Sequence, residues 1–225
     1  MDDTLQDARS FPRKRIYIVD DHPTFREGLV QILGDDPSFA VCGQAGTADE
    51  ALAEVGHFKP DLVLVDISLP GKSGLSLIKE LRAAQCPAKL LVISMHDEAL
   101  YADRVLRAGA DGYIMKEEDP EEIMQAVRDV LEGRIYVSDQ VLARGSRADE
   151  EAGQKSRSLD LLADRELEIL ELLGQGKTES EIAPRVGLSD RALNAELRAI
   201  RRKLGFASEE ALVRYAVRWI ETCSV

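Results

Sequence analysis

Five polar residues in the first 116 positions of this 225-residue chain follow directly on short apolar runs. RIYIV leads into Asp20 and Asp21, LVLV into Asp66, KLLVI into Ser94 and GYIM into Lys116. Two adjacent acids and a third carboxylate make a hard oxygen site, suited to Mg²⁺ with its remaining waters. A lysine and a hydroxyl at the same place suit a phosphoryl group.

The elements that must position these residues are legible. The apolar runs, with FAVCGQA between the first two, look buried on both faces, as parallel-sheet strands are. Amphipathic helices separate them, the first over about Pro23 to Leu33. Thr47 with Glu50 predicts a capping box. Asp119 precedes Pro120 with Glu122 three residues on, and Gly133 stops the last helix. The order predicts an α/β doubly wound, five-stranded parallel sheet with right-handed crossovers. Ligands bind such a sheet outside the carboxyl ends of its strands, where all five polar residues fall.

Composition bounds the rest. The chain is long enough for two small cores. Hydrophobic residues make up 44% and charged residues 31%, as in soluble globular proteins. No apolar run is long enough to span a bilayer. The N-terminus, MDDTLQDARSFPRKR, has no apolar signal core, which predicts a flexible tail over residues 1–14 and a cytoplasmic protein. Cys42, Cys86 and Cys223 lack metal-ligand spacing and read as buried or idle thiols. A net charge of −12 argues against indiscriminate nucleic-acid binding but not against a local basic face.

DDHP at Asp20 to Pro23, VDISLPGKSG at Val65 to Gly74 and GYIMK at Gly112 to Lys116 resemble the receiver domain of two-component response regulators. The resemblance covers residues 15–133 and implies a flavodoxin-like fold. KEEDPEEI after Lys116 resembles the NarL/FixJ branch. The resemblance makes Asp66 the phosphoacceptor, attacking a phosphohistidine of a sensor histidine kinase to give an acyl phosphate. It assigns Mg²⁺ to Asp20, Asp21, Asp66 and the backbone carbonyl of Ser68. It gives Lys116 and Ser94 contacts to the phosphate, and Tyr113 the place of the switch aromatic. Ser68 and His96, two residues past Asp66 and Ser94, fall where receivers tune phosphoryl lifetime. His22 reads as structural, and His57 as a loop residue without signal. A haloacid-dehalogenase-like phosphatase also uses a strand-end aspartate with Mg²⁺. It needs a second aspartate where this chain has Ser68.

Residues 134–158 read as a linker with a short helix, DQVLAR, followed by a polar Gly/Ser-containing stretch from about Gly145. From residue 159 to 225 the pattern is helical. LLADRELEILELLGQG has its leucines and isoleucine at helical spacing. Thr178 with Glu181 predicts a capping box, Gly187 a tight turn, Ser189 a cap, Gly205 a stop and Ser208 a further cap. Four helices with a GLS turn between the middle two read as a helix-turn-helix unit.

ADRELEILELLGQGKTESEIA, VGLS and IRRKLG resemble the LuxR-type DNA-binding domain that accompanies NarL/FixJ receivers. The resemblance implies DNA contacts from Thr178, Arg191, Asn194, Ala195, Arg198, Arg201, Arg202 and Lys203. The reading helix is atypical. Asn194 stands at the expected basic contact and Glu196 at the usual histidine; Ala207 and Glu209 replace basic residues beyond it. Pro184 falls inside the supporting helix, where it removes a backbone donor. From Leu159 to Val225, ten Lys and Arg oppose twelve Asp and Glu. Asn194 can still bond both polar edge atoms of adenine. Glu196 can accept from cytosine or pair with Arg191 or Arg198.

The chain therefore reads as a response regulator, not an enzyme acting on an external substrate. Phosphorylation of Asp66 would control a DNA-binding transcriptional domain, with a homodimer on paired half-sites in the phosphorylated state and no membrane partner. The alternative is a degenerate helix-turn-helix that acts through protein contact or dimerisation.

Overall fold

The computed structural model describes residues 12–96, 98–138, 159 and 161–223. The first part is a five-stranded sheet of β1 (Lys14–Val19), β2 (Phe39–Ala45), β3 (Leu62–Val65), β4 (Lys89–Ser94) and β5 (Gly112–Met115). The order is β2-β1-β3-β4-β5, with every neighbouring pair parallel. Between and after the strands run α1 (Pro23–Gly34), α2 (Ala48–Phe58), α3 (Gly74–Ala83), α4 (Glu98–Ala108) and α5 (Pro120–Leu131). The expected doubly wound sheet is present. β1 and β3, in the sheet's interior, bury every residue of IYIV and LVLV, because helices cover both faces.

Each face has its own core. Ile16, Ile18, Leu62, Leu64, Leu91 and Ile93 point to the side of α1 and α5. Tyr17, Val19, Val63, Val65 and Val92 point to the side of α2, α3 and α4. This alternation is the period of two that strands impose. The second cluster does not stop at the sheet's helices. It continues through Leu159, Leu162, Leu167 and Leu170 into the second part of the chain.

Among the described residues the second part has α6 (Asp164–Gly174), α7 (Glu179–Arg185), α8 (Asp190–Leu204) and α9 (Glu209–Cys223). Leu193, Leu197 and Ile200 of α8 and Leu212 and Ala216 of α9 close the core over α6. No helix among the described residues is long and apolar enough to cross a membrane.

Several local readings need adjustment. β1 starts at Lys14, inside the expected tail. Thr47 accepts from Glu50 N, but the Glu50 carboxylate reaches Gly46 N rather than closing the box on Thr47. Asp119 makes no side-chain cap; Pro120 alone marks the start of α5. His57 lies in the last turn of α2, not in a loop, with its ring edge-on to Phe58. Tyr136, placed in the linker, bridges to Gly112 and accepts from Tyr113 N at 2.8 Å, so the chain stays on the β5 edge beyond Gly133. At the opposite edge the register of β1 with β2 shifts past Cys42, a bulge in β2. Cys42 and Cys86 are free thiols. The helix DQVLAR, the polar linker and residues 1–11 of the tail lie outside the described residues.

Candidate functional site

The parallel sheet brings its strand ends to one edge, and the polar residues meet there. Lys116 Nζ lies 2.6 Å from Asp20 Oδ2 and 2.8 Å from Asp66 Oδ2, all three side chains being buried. Two carboxylates this deep would repel each other; the ammonium between them offsets that repulsion. Burial pushes the Asp66 carboxyl up and the Lys116 charge pulls it back, leaving it above the ordinary range. Burial pushes Lys116 down, but Asp66 and Asp20 outweigh it and hold the ammonium charged. The Phe25 ring faces the same ammonium, with its centroid at 4.6 Å.

Oxygens of Asp20, Asp21 and Asp66 and a ring nitrogen of His22 lie within 4.8 Å of one another. His22 thus takes part in the cluster: its Nδ1 lies 2.7 Å from Asp21 Oδ1, and its backbone N–H donates to Asp20 Oδ1. Asp20 Oδ2 is buried, with the Lys116 ammonium 2.6 Å away. Three carboxylates whose hard oxygens converge in this way fit a divalent cation.

α3 begins hard against Asp66. A Cβ on Gly74 would fall 1.9 Å from Asp66 O, so only glycine permits this approach. Gly74 N donates to Ile67 O at 2.8 Å and Ser68 N to Asp66 Oδ1 at 3.2 Å, which fixes the loop after Asp66.

Ser94, Tyr113 and His96 stand beside it. Ser94 is buried, and its hydroxyl accepts from His96 N. Tyr113 is buried with its hydroxyl donating to His96 O at 2.6 Å, and burial raises it well above the usual phenol range. The ring of His96 joins two parts of the chain. Its Nε2 lies 2.6 Å from Ser68 Oγ and its Nδ1 2.6 Å from Glu171 Oε2 of α6. Burial pushes this imidazole down; the hydrogen bond and charge of Glu171 outweigh that and hold it above its ordinary value.

Sequence reasoning missed Glu171 and its neighbours. Glu166, Glu168 and Glu171 are all buried, although they punctuate a helix with ordinary apolar spacing. Glu166 turns to its own domain, bonding Ala163 N and pairing with Lys203 of α8. Glu168 and Glu171 face the sheet domain. Tyr101 of α4 donates to Glu171 Oε2 at 2.9 Å. Burial pushes the Glu168 carboxyl up to about 7, against the charges of His96 and Arg165. Around them Arg104 donates to Leu159 O and Leu162 O, and Lys79 pairs with Asp164.

The expected reading helix is α8. Ser189 caps it, accepting from Ala192 N, and Gly205 ends it in the left-handed region. Arg191, Ala195, Arg198 and Arg202 are exposed at helical spacing along one face. Asn194, Lys203 and Thr178 are engaged elsewhere. The Asn194 amide donates to Glu179 Oε2 and Asp190 O, both at 3.0 Å. Lys203 pairs with Glu166, and Arg201 is half-buried with its Nε lacking a hydrogen-bond partner among the described residues. At the start of α7 the Thr178 N–H and hydroxyl both donate to Glu181 Oε2 at 2.8 Å, half of the expected capping box. Glu196 forms no ion pair among the described residues, so the expected pairing with Arg191 or Arg198 is absent. Pro184 is the penultimate residue of α7 and is exposed, where the helix tolerates it.

The family model for the response regulator receiver domain matches residues 16–128, and that for bacterial regulatory proteins of the luxR family matches residues 160–216. Oxygen regulatory protein NreC of Staphylococcus aureus is 35% identical over 211 residues, covering 91% of this chain and 97% of that protein. The receiver domain of the response regulator NarL from Mycobacterium tuberculosis is 35% identical, with a TM-score of 0.53 over 55% of this chain and 100% of that one. RcsB of Salmonella enterica, solved bound to a promoter in the presence of the phosphomimetic BeF3⁻, shares the fold at 21% identity. Its TM-score is 0.65, over 91% of this chain and 98% of that one.

Proposed function

Because the chain belongs to the two-component response regulators that join a receiver to a luxR-family domain, we propose that Asp66 is its phosphoacceptor and that phosphorylation there controls DNA binding by the second domain. The observation that carries this is the Lys116 ammonium held between the buried Asp20 and Asp66 carboxylates at the strand ends.

An Asp66 oxygen forms its bond to phosphorus as the P–N bond of a sensor kinase's phosphohistidine breaks, and the departing imidazole keeps that electron pair. Lys116 already sits where it would meet the phosphoryl oxygens, and Ser94 lies beside them. Asp20, Asp21 and Asp66, with the Ser68 carbonyl, would hold Mg²⁺, whose charge offsets that of nucleophile and phosphoryl oxygens. Ser94 and Tyr113 carry the change outward through the His96 backbone. The phosphorylated form pairs two copies on DNA half-sites, which raises the affinity of two weak readers. The exposed Arg191, Arg198 and Arg202 supply the phosphate contacts. A rival reading, with the second domain acting through a protein, draws on Asn194 being bonded inward.

The test is labelling of the full chain by a small phosphodonor with Mg²⁺, followed by retention of pooled genomic DNA fragments across salt. Labelling that vanishes in Asp66→Asn, with salt-sensitive retention strengthened by phosphorylation, is expected. Labelling that persists in Asp66→Asn would refute the site. Labelled protein that retains no DNA at low salt would favour the rival.

A further inference from the structure

A chain of contacts runs from the phosphoacceptor loop into the second domain without a gap. Asp66 Oδ1 accepts from Ser68 N, and Ser68 Oγ meets His96 Nε2 at 2.6 Å. His96 Nδ1 meets Glu171 Oε2 at 2.6 Å, and the Tyr101 hydroxyl donates to that same oxygen. A carboxylate only accepts, so Nδ1 carries the hydrogen. His96 and Glu171 are 8% and 7% exposed at the side chain, so water cannot replace either partner cheaply. The switch pair is on the same histidine: Ser94 accepts from its N–H, and Tyr113 donates to its carbonyl.

We infer that Glu171 is a positioning residue for the reaction at Asp66, acting from the second domain: through His96 it holds Ser68 and the loop after Asp66 in the resting arrangement, and the phosphoryl group must expel it. This rests on Asp66 being the phosphoacceptor. A phosphoryl group adds nearly two negative charges. It would arrive in a dry site that already holds the Glu171 carboxylate on the neighbouring imidazole. Glu168, buried on the same helix, lies within electrostatic reach of Asp66. Docked α6 and phosphorylated Asp66 therefore oppose each other. By linkage the opposition is reciprocal: docking disfavours the phosphoryl group as much as the group disfavours docking. Glu171 touches no reacting atom; its whole effect passes through the His96 ring and through its charge.

The discriminating variant is Glu171→Gln. It keeps the volume and an acceptor for Tyr101 and His96 but removes the charge. The full chain, with Mg²⁺ and acetyl phosphate as donor, is followed by intact mass for the rate of Asp66 phosphorylation. Wild type, Glu171→Gln, His96→Ala and the double variant are compared, each checked for folding by circular dichroism. Both single variants should phosphorylate about tenfold faster than wild type, because the resting arrangement that Glu171 holds raises the barrier to attack by Asp66. The double variant should be no faster than the faster single, because both break one linkage. A purely structural role would leave Glu171→Gln at the wild-type rate. That result, or single-variant effects that multiply, would overturn the inference. His96→Ala tests the linkage from the receiver side should Glu171→Gln fail to fold. Wild-type rates within twofold in both variants, with Asp66 still labelled, would sink this inference alone. Absence of any label on Asp66 in the wild type would sink the reading beneath it.

Discussion

Gly187, in the turn between α7 and α8, touches Gly71 in the loop after Asp66: a Cβ built on Gly187 would lie 2.7 Å from Gly71 Cα. Its φ of +66° also lies in the left-handed region, which L side chains rarely adopt. The turn of the helix-turn-helix thus rests directly on the backbone of the loop after Asp66. Gly187→Ala should push the two apart. Faster hydrogen exchange at the amides of Leu69, Gly71 and Lys72 in that variant is the expected readout; equal protection would show that the turn does not hold the loop.

Lys116 stands between two buried carboxylates, so Lys116→Met leaves like charges facing each other without a counter-ion. Breaking a buried pair from one side costs about 3–5 kcal/mol. Thermal unfolding without Mg²⁺ should fall sharply. Added Mg²⁺ should then raise the midpoint more in the variant than in wild type, since a ligand of the folded state stabilises it by mass action. Equal Mg²⁺ shifts would count against a cation site at Asp20, Asp21 and Asp66.

Glu168 gives docking a pH dependence. Its carboxyl is raised to about 7 where α6 is docked, among His96, Arg165, Glu171 and Asp66. A raised acid favours the docked state while protonated. Its contribution is complete below the ordinary carboxyl value and fades as pH rises through about 7. Small-angle scattering should show a compact chain at about pH 6 and an expanded one at about pH 8. Glu168→Gln should be less sensitive to pH. A wild-type radius that does not change would contradict the assignment.

On α8 the amide of Asn194 is committed to Glu179 and the Asp190 carbonyl. Asn194→Ala should cost the second domain about 1 kcal/mol and leave sequence preference on DNA unchanged. Arg198→Ala should instead flatten the plot of log affinity against log salt by about one unit of slope, as expected when one fewer cation sits on the DNA phosphates. A changed base preference in Asn194→Ala would return that residue to the reading face.

The receiver's site was legible because parallel strands write themselves as apolar runs, and each of Asp20, Asp66 and Lys116 comes directly after one. Spacing along the chain then becomes proximity in space. Ser68 and His96 were legible as positions, but not as partners of α6. The periodicity of α6 says that one stripe is apolar. It cannot say that a second surface covers the stripe's flank and buries Glu168 and Glu171. Asn194 shows a related effect: its place on the helix was legible, but the bond of its amide to Glu179 on α7 was not. What one helix does to another's side chains is set by packing, which no single segment encodes.

The two ends of the sheet carry a last consequence. An exposed edge strand offers unpaired donors and acceptors to any passing strand, a route to stacking and fibre growth. Here β2 bends at the Cys42 bulge, and Tyr136 occupies part of the β5 border. Neither border therefore offers a straight, fully open ladder on which a strand of another copy could extend the sheet.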